Sequence, residues 1–142
     1  MYPNTRNYRN TDVATADRGK LIIMIYDHCL KWSHAAVDAI HRNDIELRAR
    51  AIFKVQDGIT ELQCALDFQK GGEVANNLQR LYDFYNRHLS EANIQNSAEN
   101  INDVITMMSS LREAWVQCFE NVRKSGTISM THSQKSNVSL VG

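Results

Sequence analysis

Two apolar stripes meet at Lys70-Gly71-Gly72-Glu73, and together they restrict what this chain can fold into. Before that junction, Ile45, Ala49, Ile52, Val55, Ile59, Leu62 and Leu66 recur by threes and fours. After it, Val74, Leu78, Leu81, Tyr85, Leu89 and Ala92 do the same. This spacing places one apolar stripe along each of two α-helices. Two consecutive glycines allow a positive backbone dihedral that stops the first helix abruptly. Antiparallel helices of about 35 Å each must then bury their stripes on something. The hairpin is half of a bundle.

The rest of the chain supplies the other half. Asp17 is a candidate N-cap for a first helix to about Arg42, with Leu21, Ile25, Cys29, Trp32, Ala36 and Ile40 as its stripe. Asn43 with Glu46, and Asn96 with Glu99, form capping-box patterns that open the second and fourth helices. The fourth carries Ile101, Val104, Met108, Leu111, Trp115, Phe119 and Val122, and Arg123 and Lys124 suit its negative end. Short loops between long helices force antiparallel neighbours. The expectation is an all-α, antiparallel up-down-up-down four-helix bundle over residues 17–124. A flexible polar arm (1–16) precedes it. A disordered tail (125–142), rich in Ser and lacking acidic residues, follows.

Composition removes several function classes. Sixteen basic and sixteen acidic residues cancel, so no basic footprint for nucleic acid or an anionic membrane is expected. No run approaches the roughly 18 uncharged apolar residues of a spanning helix. The polar start, Met1 to Asn10, gives no sign of a signal peptide. Cys29, Cys64 and Cys118 are odd in number and far apart, reading as reduced, small hydrophobes of a cytosolic protein.

Catalytic chemistry finds no foothold either. A di-metal site in a bundle needs Glu-x-x-His pairs, and the nearest pattern is Asp38-x-x-His41. His28, His34 and His41 read as surface or half-buried side chains. Asp27 and His28 are adjacent on a helix and so diverge. There is no phosphate-cradling glycine loop, nucleophile elbow or Cys-x-x-Cys. Neither an enzyme nor a cofactor or metal is expected.

Apolar surface in excess of the bundle's needs points instead to a partner. On the first helix a second row, Ile23, Tyr26, Leu30 and Val37, lies off the main stripe. Phe53 and Phe68 also fall outside their stripes, and Phe84 sits on a shoulder. Three readings compete: a wide core, a self-association face, or a groove for a peptide. The arm, with Tyr8 and Val13 among polar residues, is either a lid over such a groove or an ordinary frayed terminus.

Beyond these patterns, roughly residues 7–116 resemble the bacterial flagellin-specific export chaperones, the FliS family. The resemblance runs through Asn7-Tyr8, Val13-Ala14-Thr15-Ala16, Leu21 and Met24-Ile25-Tyr26-Asp27. In the hairpin it includes Glu61-Leu62, Leu66-Asp67-Phe68, Gly71-Gly72-Glu73, Asn77-Leu78 and Leu81-Tyr82. It continues with Arg87, Leu89, Glu91-Ala92-Asn93-Ile94, then Leu111-Arg112 and Ala114-Trp115. One departure is Asp17-Arg18-Gly19-Lys20, where the family usually has Ser-Pro-Glu-Glu; positive charge there suits a helix N-terminus poorly.

The resemblance implies a bacterial cytosolic chaperone that binds the disordered C-terminal segment of flagellin, prevents premature polymerisation and assists export. It implies an arm that yields its site to that segment, and no cofactor or catalysis. Tyr8, Ile25, Tyr26, Leu78, Tyr82 and Tyr85 are the expected apolar partner contacts, with Asn77 and Arg87 as polar ones. Export-gate components are possible further partners, and the protein itself is expected as a monomer or weak homodimer. The alternative reading is a self-associating structural bundle without a peptide client.

Overall fold

A computed structural model describes the backbone of residues 15–141 and the side chains of residues 18–125. Four helices follow one another: α1 (Thr15–His41), α2 (Ile45–Cys64), α3 (Phe68–Gln95) and α4 (Ala98–Val141). Each packs against its two neighbours around a ring, α1–α2–α3–α4–α1, and the diagonal pairs do not approach at the backbone among the described residues. This is the antiparallel up-down-up-down bundle. The arm, including Tyr8, lies outside the described residues.

The core forms where the sequence stripes converge. Ile25 and Cys29 of α1, Ile52 and Ile59 of α2, Leu89 of α3, and Ile101 and Met108 of α4 are all buried. Small residues draw α1 and α2 together: Ala36 and Ala39 face inward from one, Ala51 and Gly58 from the other. A side-chain Cβ at Gly58 would stand 2.5 Å from Cys29 Sγ. Glycine is what this crossing permits.

The seam between α2 and α3 is built differently. These two helices approach least closely of the four neighbouring pairs. Long polar side chains span the gap. Arg48 donates from Nε to Asn93 Oδ1 (3.0 Å) and from Nη1 to Asn96 Oδ1 (2.8 Å). Gln56 Nε2 donates to the Asn86 carbonyl (3.2 Å) and Ser90 Oγ (3.0 Å), and Gln63 Nε2 donates to Asp83 Oδ1 (2.9 Å).

The turns correct the sequence reading in one consistent way. Asn43 and Asn96 do not cap the helices that follow them; both adopt left-handed backbone (φ 56° and 55°) and close the helices before them. At the first, the Asn43 and Asp44 amides donate to Ile40 and Ala39 carbonyls; at the second, the Ser97 amide donates to Ala92. Asparagine tolerates this conformation better than most residues. The capping falls one residue later. Asp44 accepts from the Leu47 amide (3.0 Å), and Ser97 Oγ accepts from the Asn100 amide (3.2 Å).

The hairpin turn also moves. α2 ends at Cys64 rather than at the double glycine, and Asp67 caps α3 by accepting from the Gln69 and Lys70 amides, both at 3.1 Å. The double glycine then lies inside α3, where Gly72 (φ 50°, ψ −126°) breaks the helix one turn after it starts. A positive dihedral is present as expected, but it kinks α3 instead of ending α2. Asp67 wins because a carboxylate satisfying two orphan amides starts a helix wherever it stands.

The outer helix limits lie at Thr15 and Val141. α1 opens at Thr15, so the backbone at Asp17 is already helical; helix formers such as Ala16 extend a helix upstream at little cost. α4 stays helical to Val141, past Lys124, with no proline to stop it. The stripes themselves fray at helix ends: Ile45 is 65% and Val74 37% exposed.

Candidate partner-binding surface

Three aromatic residues from three helices meet in the core through their polar atoms. Tyr26 Oη of α1 and Tyr82 Oη of α3 share a hydrogen bond of 2.6 Å. Trp115 Nε1 of α4 donates to Tyr26 Oη at 3.0 Å. A buried hydroxyl or indole N–H is costly without a partner, so this trio fixes the rotation of three helices at once. Burial holds both Tyr26 and Tyr82 above the ordinary phenol range. Tyr85, one turn from Tyr82 and edge-on to Phe84, is pushed up to about 12 by burial, and its hydroxyl has no hydrogen-bond partner among the described residues.

Five of the expected partner contacts therefore form the interior in this structure. Ile25, Tyr26, Leu78, Tyr82 and Tyr85 are all buried. Angular position puts Tyr26 on a second, outer row of α1, but it is wholly buried, while Ile23, Leu30 and Val37 of that row are half-buried against the core. The reason is width. A helix in a four-membered ring faces two neighbours, so its buried sector is broader than one stripe. Asn77 and Arg87 are exposed, and Asn77 Oδ1 accepts from Arg80 Nη1 at 2.8 Å.

Apolar surface does remain outside. Phe53 (63%) and Phe68 (48%) are exposed, in keeping with their off-stripe positions. Ile94 is the most exposed large apolar side chain among the described residues, at 85%. It stands with Ile45 at the end of the bundle where Arg48 reaches Asn93 and Asn96. Met24, 61% exposed, lies on α1 beside a cleft shared with α4. Apolar spacing gives Met24 no role; it enters the sequence reading only within the run Met24-Ile25-Tyr26-Asp27. His28, by contrast, is turned to the backbone, with Nε2 2.9 Å from the Lys54 carbonyl.

Comparison with known proteins settles the family. A family profile described as Flagellar protein FliS matches residues 1–122. The flagellar secretion chaperone FliS of Bacillus subtilis is 32% identical over 82% of this chain and 86% of its own length. That of Campylobacter jejuni is 39% identical over 72% of this chain and 80% of its own. The Salmonella typhimurium protein is 35% identical over 74% and 78%. The chain belongs to the FliS family.

The FliS-like runs acquire structural meaning on this bundle. Tyr26, Tyr82 and Trp115 are the aromatic trio, and each comes from a different run. Asp27, next to Tyr26, leaves the core and pairs with Arg112 of α4 (Nε–Oδ1 2.5 Å), which also comes from a FliS-like run. Asn93, from another run, holds Arg48 across the α2–α3 seam. The double glycine supplies the kink of α3. No helix is long and apolar enough to cross a membrane among the described residues.

Proposed function

We propose that this FliS family member is a cytosolic flagellar secretion chaperone that binds the disordered C-terminal segment of flagellin, keeps subunits from polymerising early and assists their export. The observation that carries this reading is the similarity to flagellar secretion chaperones at 32–39% identity across most of the bundle. The exposed Phe53, Phe68 and Ile94 support it, because large apolar groups on a bundle surface suit a client that folds as it binds. Exposed Asn77 and Arg87 are suited to holding a peptide backbone. The buried Ile25, Tyr26, Leu78, Tyr82 and Tyr85 contribute from beneath by fixing the helices that present this surface. No catalytic step is part of this role.

Calorimetry with a peptide from the end of the same organism's flagellin tests the reading. Binding heat is expected with intact flagellin and with the peptide, and none with flagellin lacking that end. Equal heats from the intact and truncated flagellins would refute it. Ordering a flexible client costs about 2–5 kcal/mol, so the apolar contact has to be extensive.

A further inference from the structure

We propose that residues 127–140, beyond the end of the bundle, form a strand that docks on a partner protein by adding to an open edge of its β-sheet. α4 outruns both of its neighbours. Gly19 of α1 faces the Phe119 ring, 2.8 Å from where a Cβ would stand, and His88 Nε2 of α3 lies 3.0 Å from Asp103 Oδ2. Counted back along the antiparallel neighbours from these two contacts, Thr15 of α1 and Phe68 of α3 are both level with about residue 123 of α4. Yet α4 continues to Val141, about 25 Å past Lys124 at about 1.5 Å per residue. The match to the family profile stops at residue 122, so the projecting stretch lies outside the FliS-like bundle.

This stretch has the period of a strand and not of a helix. Every odd position from Thr127 to Ser139 is polar, and its large apolar residues, Ile128, Met130, Val138 and Leu140, are all even. A two-residue period places those four on one side of an extended chain. At a helical advance of about 100° per residue they fall at about 0°, 200°, 280° and 120°, all round the circle, so a helix here offers no stripe to bury. Ser, Thr, Asn and Val are also weak helix formers, and a solitary helix this short is marginal in water. The free chain therefore surrenders this helix at little cost. Among its described residues it has no strand of its own, so an extended tail finds its hydrogen bonds on another molecule. The edge of a partner's sheet supplies them, with the even residues covering the sheet's apolar face and the odd ones meeting water. With His132 neutral, Lys135 is the only formal charge in residues 127–140, and little repulsion opposes the pairing.

The test uses the full chain and a fluorescent, monomeric sheet protein with one unpaired edge strand; in a twin of this probe, prolines remove that edge's amides. Anisotropy is expected to show the open-edged probe binding at least about tenfold more tightly than the blocked one. In the far-UV spectrum of the complex, helix signal should give way to strand. Two exchanges keep the composition and break the alternation: Met130→Thr with Thr131→Met, and Val138→Ser with Ser139→Val. The chain carrying all four should lose the preference, while its thermal melt and its affinity for the flagellin C-terminal peptide stay unchanged. Equal binding of the two probes, binding of neither, undiminished binding by the exchanged chain, or a complex that keeps its full helix signal overturns the proposal. Loss of flagellin binding in the exchanged chain would assign the tail to the client, and would overturn it too. So would a dimer of the chain alone in sedimentation that the exchanges dissolve, which would make the partner a second copy.

Discussion

Tyr26 and Tyr82 meet through their hydroxyls, 2.6 Å apart, across a diagonal of the bundle whose backbones do not approach among the described residues. Trp115 joins them through Tyr26. Tyr26→Phe leaves both the Trp115 N–H and the Tyr82 hydroxyl buried without this partner, and is expected to cost about 2–4 kcal/mol. Tyr82→Phe disturbs only one contact and should cost about 1–2 kcal/mol. The double variant should lose less than the sum, because the shared bond is counted twice. Urea unfolding of the three proteins measures this.

Gly72 has a dihedral pair that L-residues avoid, yet a Cβ there would meet nothing within 4 Å. Its substitution therefore isolates backbone strain from crowding. Gly72→Ala should destabilise by about 1–3 kcal/mol without altering helix content in the far-UV spectrum. An unchanged urea midpoint would show that α3 straightens without penalty.

Gly58 gives the opposite case, crowding with ordinary helical backbone. Gly58→Ala pushes a methyl onto Cys29 Sγ and, at 3.1 Å, onto His28 Cδ2. The overpacking costs about 1–3 kcal/mol, against a helix-propensity gain of about 1. In a Cys29→Ala background most of the clash is gone, so the same substitution should turn neutral or stabilising. A thermal-melt double-mutant cycle reads that change directly.

Alkaline pH should unfold the protein through its buried weak acids. Burial raises Cys29 from 9.0 to about 12 and Tyr85 from 10.0 to about 12. The unfolded chain releases these protons at the lower values, so across each window the folded state holds more protons and stability falls as pH rises. The contribution is intact below pH about 9, then is lost between about 9 and 12 for Cys29 and between about 10 and 12 for Tyr85. Each group removes about 1.4 kcal/mol per pH unit within its window. With Cys64 and Cys118 replaced by Ser, Cys29→Ala should move the onset of decline from about pH 9 to about 10 in urea titrations.

Helix number, order and direction are legible because they follow from apolar spacing, which Ile52, Val55, Ile59, Leu89 and Met108 obey. What escapes is set by competition between neighbours. Asn43 and Asp44, or Asn96 and Ser97, can each cap a helix; only the backbone decides which member turns left-handed. Asp67 and the double glycine likewise compete to mark the hairpin, and Asp67 prevails. For the partner surface, angular position on a helix does not separate Tyr26, wholly buried, from Ile23, half-buried, only three residues away. Phe53 and Phe68 are legible because they lie far from any stripe. The α1–α4 cleft is not, since it depends on Phe119 lying across a glycine from a distant part of the chain.

The rungs formed by Arg48, Gln56 and Gln63 give the bundle an uneven stiffness. Amide and guanidinium groups that let go of one another there find water waiting as a substitute, whereas prising α1 from α2 would wet hydrocarbon. The α2–α3 side is thus the cheapest place for this cylinder to breathe. Motion of the fold is steered toward the flank bordered by Phe53 and Ile94.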